Sequence, residues 1–309
     1  MKYKYRFSIF TATYNRGHLL RQRYEELLAL DFKDFEWVVV SDGSTDNTSD
    51  EMNSFVAENK IPIVFIDKEN GGKHTAWQAA TPVFRGRYIL AADDDDIIMP
   101  DTLSIFDKHW SALEALPNYN EYWEVRTRCQ RQDGTLVGKI LPEPYVDSDY
   151  NSMNYIYKNN CEMVGCRKVE VLRTEAAVPN SFMFQDKVSN FPEGIRWSQV
   201  ARKYKTRFVP DVTRVYLTSQ DALCSPNSGK KRNIRKTHNT LLGAIYELKY
   251  ERDLMFKYNV KKYIKTIMVA LYTSFPCKQN PLRLTDKVLD KVLMMLLYVP
   301  ISFTWLIRR

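Results

Sequence analysis

The sequence has no C-x-x-C pair among its five cysteines, Cys129, Cys161, Cys166, Cys224 and Cys277, which excludes a zinc ribbon, a thioredoxin-type redox motif and a secreted disulfide framework. A reducing compartment fits. Met1 to Arg6 alternate charge with tyrosine and only five fairly apolar residues follow, so a signal-peptide core is lacking and a cytosolic location is expected. Internal repeats and low-complexity tracts are also absent, and the composition excludes a collagen-like or disordered chain. The uncharged run Val292–Ile307 stops at 16 residues and contains Pro300. As a helix it would extend ~24 Å, short of the ~30 Å core of a bilayer.

What is present is a chain of 309 residues, 44% hydrophobic and 27% charged, enough for one large or two modest domains. Its net charge of +8 conceals an asymmetry. Residues 200–309 hold 22 Lys and Arg against 7 Asp and Glu, or +15, leaving −7 for residues 1–199. The basic half needs an anionic partner.

Phe7–Thr13 is a short β-branched and aromatic run, Leu19–Leu30 has helical spacing, and Phe35–Val40 is an apolar run too short for a helix. The pattern continues with a helix over Asp46–Asn59, a strand over Ile61–Ile66, a helix over His74–Phe84 and a strand over Tyr88–Ala92. Alternation of this size predicts an α/β fold with a mainly parallel, Rossmann-like sheet and helices on both faces. Ligands are then expected at the C-terminal strand ends. Pro117–Asn160 reads as loops and short strands, Glu162–Leu172 as strand, Ile195–Tyr204 as helix, and Thr206–Leu217 as strand, turn, strand. A composition shift near residue 218 divides the chain into 1–217 and a basic, helical 218–309, with a long helix over about Thr237–Phe256.

Each strand of the first half ends in a polar cluster: Thr13-Tyr14-Asn15-Arg16, Ser41 to Asp46, Gly71-Gly72-Lys73-His74, and Asp93-Asp94-Asp95-Asp96. Parallel strands bring all four to one rim. Alone, Asp42 to Asp46 reads first as a turn and helix N-cap. Gly71-Gly72 could be only a loop, although backbone without Cβ approaches a ligand closely and N–H groups at a helix start favour anions. Four adjacent aspartates repel one another, and a hard divalent cation resolves that repulsion. Mg²⁺ or Mn²⁺ takes one or two carboxylates plus waters and phosphate oxygens.

Together Phe7–Arg16, Val38–Thr48, Gly71–Ala79 and Arg87–Leu103 resemble the N-terminal half of inverting family 2 glycosyltransferases, which have the A-type glycosyltransferase fold. The resemblance implies that Ala12-Thr13-Tyr14-Asn15 and Asp42 hold the base of a sugar nucleotide, with Arg16, Gly72 and Lys73 also on the donor side. It places the metal ligand at Asp95 and the ribose contact at Asp94 or Asp93, with the register open by one residue. It makes 1–217 a catalytic domain, with 1–116 the nucleotide-sugar half and 117–217 the acceptor half. The general base of an inverting transfer falls on Glu193, with Asp186 in reserve; Glu193 also suits the first turn of a helix on dipole grounds alone. Gln220 to Ser225 sits where the family carries a mobile loop over the diphosphate, although the motif is loose and a surface turn is the better single reading.

The expected activity is therefore metal-dependent transfer of a sugar from a nucleotide donor, a UDP-sugar first, to a glycan or lipid-linked acceptor in polysaccharide assembly. Leu284, Val288, Leu289, Val292, Leu293 and Leu296 form a helical stripe accompanied by Lys257, Lys261, Lys262, Lys265, Lys287 and Lys291. This suggests an anchor lying on an anionic membrane surface at the cytoplasmic face, the alternative being a core helix of a C-terminal subdomain. Two other functions remain in view. A nucleotidyltransferase would want a glycine-rich loop with a basic residue after the first strand, and Thr13 to Gly17 is a poor version. A nucleic-acid-binding module would leave the apolar run unexplained.

Overall fold

Short apolar strands alternate with helices through the first half as expected: β1 (Tyr5–Thr13), α1 (Gly17–Ala29), β2 (Phe35–Asp42), α2 (Thr48–Glu58), β3 (Ile63–Lys68), α3 (Lys73–Ala80) and β4 (Gly86–Ala91). There follow β5 (Ile97–Ile98), α4 (Thr102–Glu114), β6 (Tyr122–Arg131), β7 (Val146–Ser148), α5 (Tyr150–Tyr155), β8 (Met163–Lys168), α6 (Val169–Thr174), α7 (Glu193–Val200) and β9 (Lys205–Tyr216). The C-terminal helices are α8 (Ile234–Tyr250), α9 (Arg252–Tyr258), α10 (Val260–Ser274) and α11 (Val288–Ile307). The computed structural model describes residues 3–141, 144–159, 161–177, 179, 182–188, 191–216 and 234–307. The chain divides into two compact units, Met1–Tyr150, Asn159–Val178 and Val200–Ser228 forming one, and Asn151–Lys158, Pro179–Gln199 and Gly229–Arg309 the other.

The first unit is built on a sheet with strand order β3-β2-β1-β4-β8-β6-β9-β5 and β7 paired to β9. Pairs β1–β2, β1–β4, β2–β3 and β6–β9 are parallel, while β8 runs antiparallel to both β4 and β6. Strands β1, β2, β3, β4, β6 and β9 thus share one direction and one C-terminal rim. Every residue of β2 is buried, as a parallel strand covered on both faces requires. One face packs Tyr24 against Phe55 at 4.4 Å and Tyr88 against Trp110 at 4.0 Å; the other packs Phe10 against Trp77 at 4.4 Å. Leu20, Tyr24 and Leu27 of α1 are buried at helical spacing, so that helix lays a single stripe on the sheet.

Three expectations need correction. Pro117–Asn160 contains the ten-residue strand β6, which charge conceals because Glu124, Arg126 and Arg128 interrupt what would read as an apolar run. Thr206–Leu217 is not two strands with a turn: through Tyr216 it is one strand. It stays paired to β6 while its partners step from Phe208 to Val212 to Arg214, a bulged stretch that contains Pro210, which has no N–H to give a ladder. Glu162–Leu172 changes from strand to helix at Val169.

The second unit is helical, with a core that includes Leu241, Ile245, Met255, Tyr263, Ile267 and Met294. Asp290 is fully buried there and accepts hydrogen bonds from Tyr263 at 2.5 Å, Arg252 at 2.8 Å and Thr285 at 2.9 Å. Asp290 and Met294 fix which face of α11 points inward. Val288, Leu289, Val292, Met295 and Leu296 lie on its exposed side, Val288 being 75% and Leu296 70% exposed. Among the described residues no helix is long and apolar enough to cross a membrane.

Gly86 marks a close backbone contact between strands: a Cβ there would lie 2.3 Å from backbone atoms of Phe7 and Ser8 in β1. Gly86→Ala is expected to cost about 1–3 kcal/mol through forced backbone shifts. The readout is the urea unfolding midpoint, and a midpoint equal to wild type would contradict this packing.

Candidate active site

The four polar clusters meet at the C-terminal rim of the sheet and are tied by direct bonds. From the β1 loop, Thr13 Oγ1 donates to Asp94 at 2.9 Å, and Arg16 reaches Asp94 at 2.6 Å and Asp95 at 3.0 Å. From the start of α3, Lys73 reaches Asp93 at 2.8 Å. Asn15, in left-handed backbone at φ 53°, joins the β1 and β2 loops by accepting from the Thr45 N–H at 2.7 Å while its own N–H donates to Ser44 at 3.0 Å. Asp46 accepts from the Gly17 N–H at 2.9 Å.

Asp42, expected on the donor side, also ties the neighbouring loop together. Its carboxylate accepts from Lys68 at 2.6 Å and from the N–H groups of Gly71 at 3.0 Å and Gly72 at 2.6 Å. The N–H groups of Gly71 and Gly72 thus donate to Asp42, which shapes the glycine loop from beneath. Gly72 sits at φ 91°, a conformation L side chains rarely adopt, so the turn into α3 depends on glycine. Burial pushes the Asp42 carboxyl up, but Lys68 and the two N–H groups outweigh it and hold it below the usual carboxylate range.

The four aspartates separate into two kinds. The Asp94 and Asp96 side chains are 4% and 8% exposed, whereas those of Asp93 and Asp95 are 41% and 29% exposed. Asp94 is held by Thr13 and Arg16, and burial raises its carboxyl despite them. Asp96 pairs with Arg214 of β9 at 2.8 Å. At Asp93 the partial loss of solvent is outweighed by Lys73, with Arg214 and Arg23 behind it, so its carboxyl lies below the usual range. The first and third acids of the run thus remain accessible, while the second and fourth are internal struts.

Two residues that sequence reasoning passed over hold this turn. Arg23 of α1 is 1% exposed and donates to the backbone carbonyls of both Asp93 and Asp96, and Arg214 anchors Asp96 from β9. An arginine on the buried stripe of α1, one turn before Leu27, was the available signal for the first. Of the other expected residues, Ala12 is half-buried near the end of β1 and Tyr14 is 48% exposed. Glu193 opens α7 and Asp186 lies in a short turn, exposed; both belong to the second unit. Gln220 to Ser225 lies outside the described residues.

The rim suits a hard divalent cation. Among the described residues no group of three or more His, Cys, Asp or Glu is placed to hold a metal; Asp93 and Asp95, the accessible acids of the run, are the carboxylates open to a hard divalent cation, whose other oxygens would come from water or phosphate. That is the habit of Mg²⁺ and Mn²⁺ with nucleotides.

Residues 8–149 match the family described as Glycosyl transferase family 2. The chain carries a family 2 glycosyltransferase domain. It is 32% identical over 98 residues to chondroitin synthase of Pasteurella multocida, a match covering 32% of this chain and 10% of that protein. The matches span 10% to 40% of the length of this and two other curated glycosyltransferase relatives. Among solved structures, S. aureus TarS 1-349 in complex with UDP superposes with a TM-score of 0.57 at 16% identity, covering 97% of this chain and 90% of that one. Mannosyltransferase PcManGT from Pyrobaculum calidifontis, in complex with GDP-Man and Mn²⁺, gives 0.55 at 17% identity, covering 98% and 83%. These likenesses establish the fold, the A-type arrangement expected from the strand-end motifs.

The depressed Asp42 carboxyl has a pH consequence. Its folded value lies below the unfolded one, so its stabilisation is present above about pH 4 and is lost as pH falls through the folded value. Lys68→Met is expected to cost ~1–3 kcal/mol at pH 7, with the gap to wild type closing below about pH 4. Urea unfolding across that range measures it; a cost independent of pH would contradict the assignment.

Proposed function

We propose that the chain transfers a sugar, with inversion, from a nucleotide-sugar donor to a glycan or lipid-linked acceptor in polysaccharide synthesis. The observation that carries this reading is the pair of accessible carboxylates, Asp93 and Asp95, held beside Lys73 and Arg16 at the rim of a family 2 domain. The chondroitin synthase relative supports a polysaccharide product, and the UDP and GDP-Man complexes of the structural neighbours support a nucleotide donor.

In this reading Asp95, assisted by Asp93, holds Mn²⁺ or Mg²⁺. When bound, the cation offsets charge developing on the leaving diphosphate. Lys73 and Arg16 add fixed positive charge at the same place, already oriented by the acids they pair with. Thr13, Tyr14 and Ala12 line the strand end where the nucleoside lies, and Asp42 with Gly72 sets the height of the loop beside it. Glu193 takes the acceptor hydroxyl proton as the new bond to the anomeric carbon forms and the bond to the diphosphate oxygen breaks. Asp186 is the alternative base.

The same reading places the second unit against an anionic membrane surface. The exposed apolar side of α11, with Lys257, Lys261, Lys265, Lys287 and Lys291 in the same unit, supplies both contributions such binding needs.

Metal-dependent hydrolysis of UDP-, GDP- and dTDP-sugars tests the donor class; release of pyrophosphate instead of nucleoside diphosphate would point to nucleotidyl transfer. Asp95→Asn is expected to weaken Mn²⁺-dependent UDP binding by more than about tenfold. Glu193→Gln should leave that binding intact and lower turnover by about 10²–10⁴-fold; wild-type turnover in this variant would transfer the base to Asp186. Leu289→Glu with Leu296→Glu should release the protein from phosphatidylserine vesicles, and undiminished co-sedimentation would remove the membrane role.

A further inference from the structure

Strand β6 carries charge that the donor site does not use. Glu124, Arg126 and Arg128 alternate with Val125, Thr127 and Cys129, so the charged three share the sheet face opposite the Trp110 core. Glu124 is committed: it meets Arg167 at 2.8 Å and Arg126 at 3.3 Å, and accepts from Thr206 at 3.4 Å. The pair with Arg167 crosses over Gly165, where a Cβ would lie 2.1 Å from the carboxylate. Glu162 is likewise taken, by Arg214 at 2.7 Å.

Arg128 has no such partner. It is 4% exposed, and its Nε and one terminal nitrogen are buried with no hydrogen-bond acceptor. No carboxylate among the described residues pairs with it. The neighbouring Cys161 thiol offers no counter-charge, because burial pushes it above its ordinary value. A dry, unpaired guanidinium is strongly unfavourable. Its flat fork of donors is shaped for two oxygens of one oxyanion.

The register locates this group. Leu90 of β4 and Val125 of β6 both flank Cys166 of β8. Asp93 follows Leu90 by three residues and Arg128 follows Val125 by three, so both stand at the same rim. They are two strands apart, about 10 Å at the usual strand spacing. Lys73, Arg16 and the carboxylates serve the donor diphosphate on the β4 side, which leaves the β6 side to the other substrate.

We propose that Arg128, with Arg126 beside it, receives an oxyanion carried by the acceptor, a phosphate or a sugar carboxylate. This rests on the donor reading above, which assigns the β4 side of the rim. It makes the acceptor an acidic or phosphorylated glycan or carrier.

The test compares the full chain with Arg128→Met by thermal unfolding in phosphate-free buffer, then with added inorganic phosphate or glucuronate, against chloride at equal ionic strength. Mn²⁺–UDP binding is measured in parallel by calorimetry. Phosphate or glucuronate should raise the wild-type midpoint by about 2–4 °C and leave Arg128→Met unmoved. Without oxyanion, Arg128→Met should unfold at or above the wild-type midpoint, and UDP affinity should stay within about twofold. A response to phosphate alone assigns a phosphate-bearing acceptor, and to glucuronate alone a uronate. An equal response of both proteins, or none in either, overturns the site. Loss of UDP affinity in Arg128→Met hands the residue to the donor and also overturns the proposal. If the wild type fails to bind UDP with any metal while its phosphate response still depends on Arg128, the donor reading fails, and with it the acceptor assignment.

Discussion

Four consecutive carboxylates at the end of a buried strand repel one another, and the rim is organised around that repulsion. Arg16 comes from the β1 loop, Lys73 from the start of α3, Arg23 from α1 and Arg214 from β9, and each binds the Asp93–Asp96 turn. Segments distant in sequence are thus held to one small patch by charge. The ion pairs are internal or half-buried, where solvent screens them least. The same pairing selects which acids stay accessible: Asp94 and Asp96 are absorbed into the scaffold, while Asp93 and Asp95 face outward beside cations that already match the charge of a diphosphate.

Beneath the neighbouring loop a second carboxylate does related work. Asp42 gathers Lys68 and the N–H groups of Gly71 and Gly72 into one knot, so the loop before α3 is shaped before any ligand arrives. Preorganisation of this kind lets binding free energy go into contacts with the ligand instead of into ordering the protein.

The first four strands and three helices were legible because their apolar runs are continuous and their polar ends abrupt. The convergence of Thr13, Arg16, Lys73 and the aspartates followed from parallel topology alone. What escaped reading was structure held by buried charge. Strand β6 hides behind Glu124, Arg126 and Arg128, since alternation of arginine with valine and threonine looks like a surface strand while the structure buries both faces. Arg23 and Arg214 were invisible for the same reason: a charged side chain gives no hint in sequence that it will end on a backbone carbonyl or an internal aspartate. The bonds by which Asp42 shapes the glycine loop gave no signal in the sequence either. The stripe on α11 was read as one face, but Asp290 and Met294 divide the helix into a core side and an exposed apolar side.

The central claim is that Asp93 and Asp95 hold a divalent cation together with the diphosphate of a sugar nucleotide. Crystals soaked with UDP and Mn²⁺ test it most directly through the anomalous signal of manganese. The account predicts a single peak bonded to Asp95 or to both acids and to the UDP phosphates. UDP bound elsewhere, or no peak at the rim with both acids still closed on Arg16 and Lys73, would contradict it.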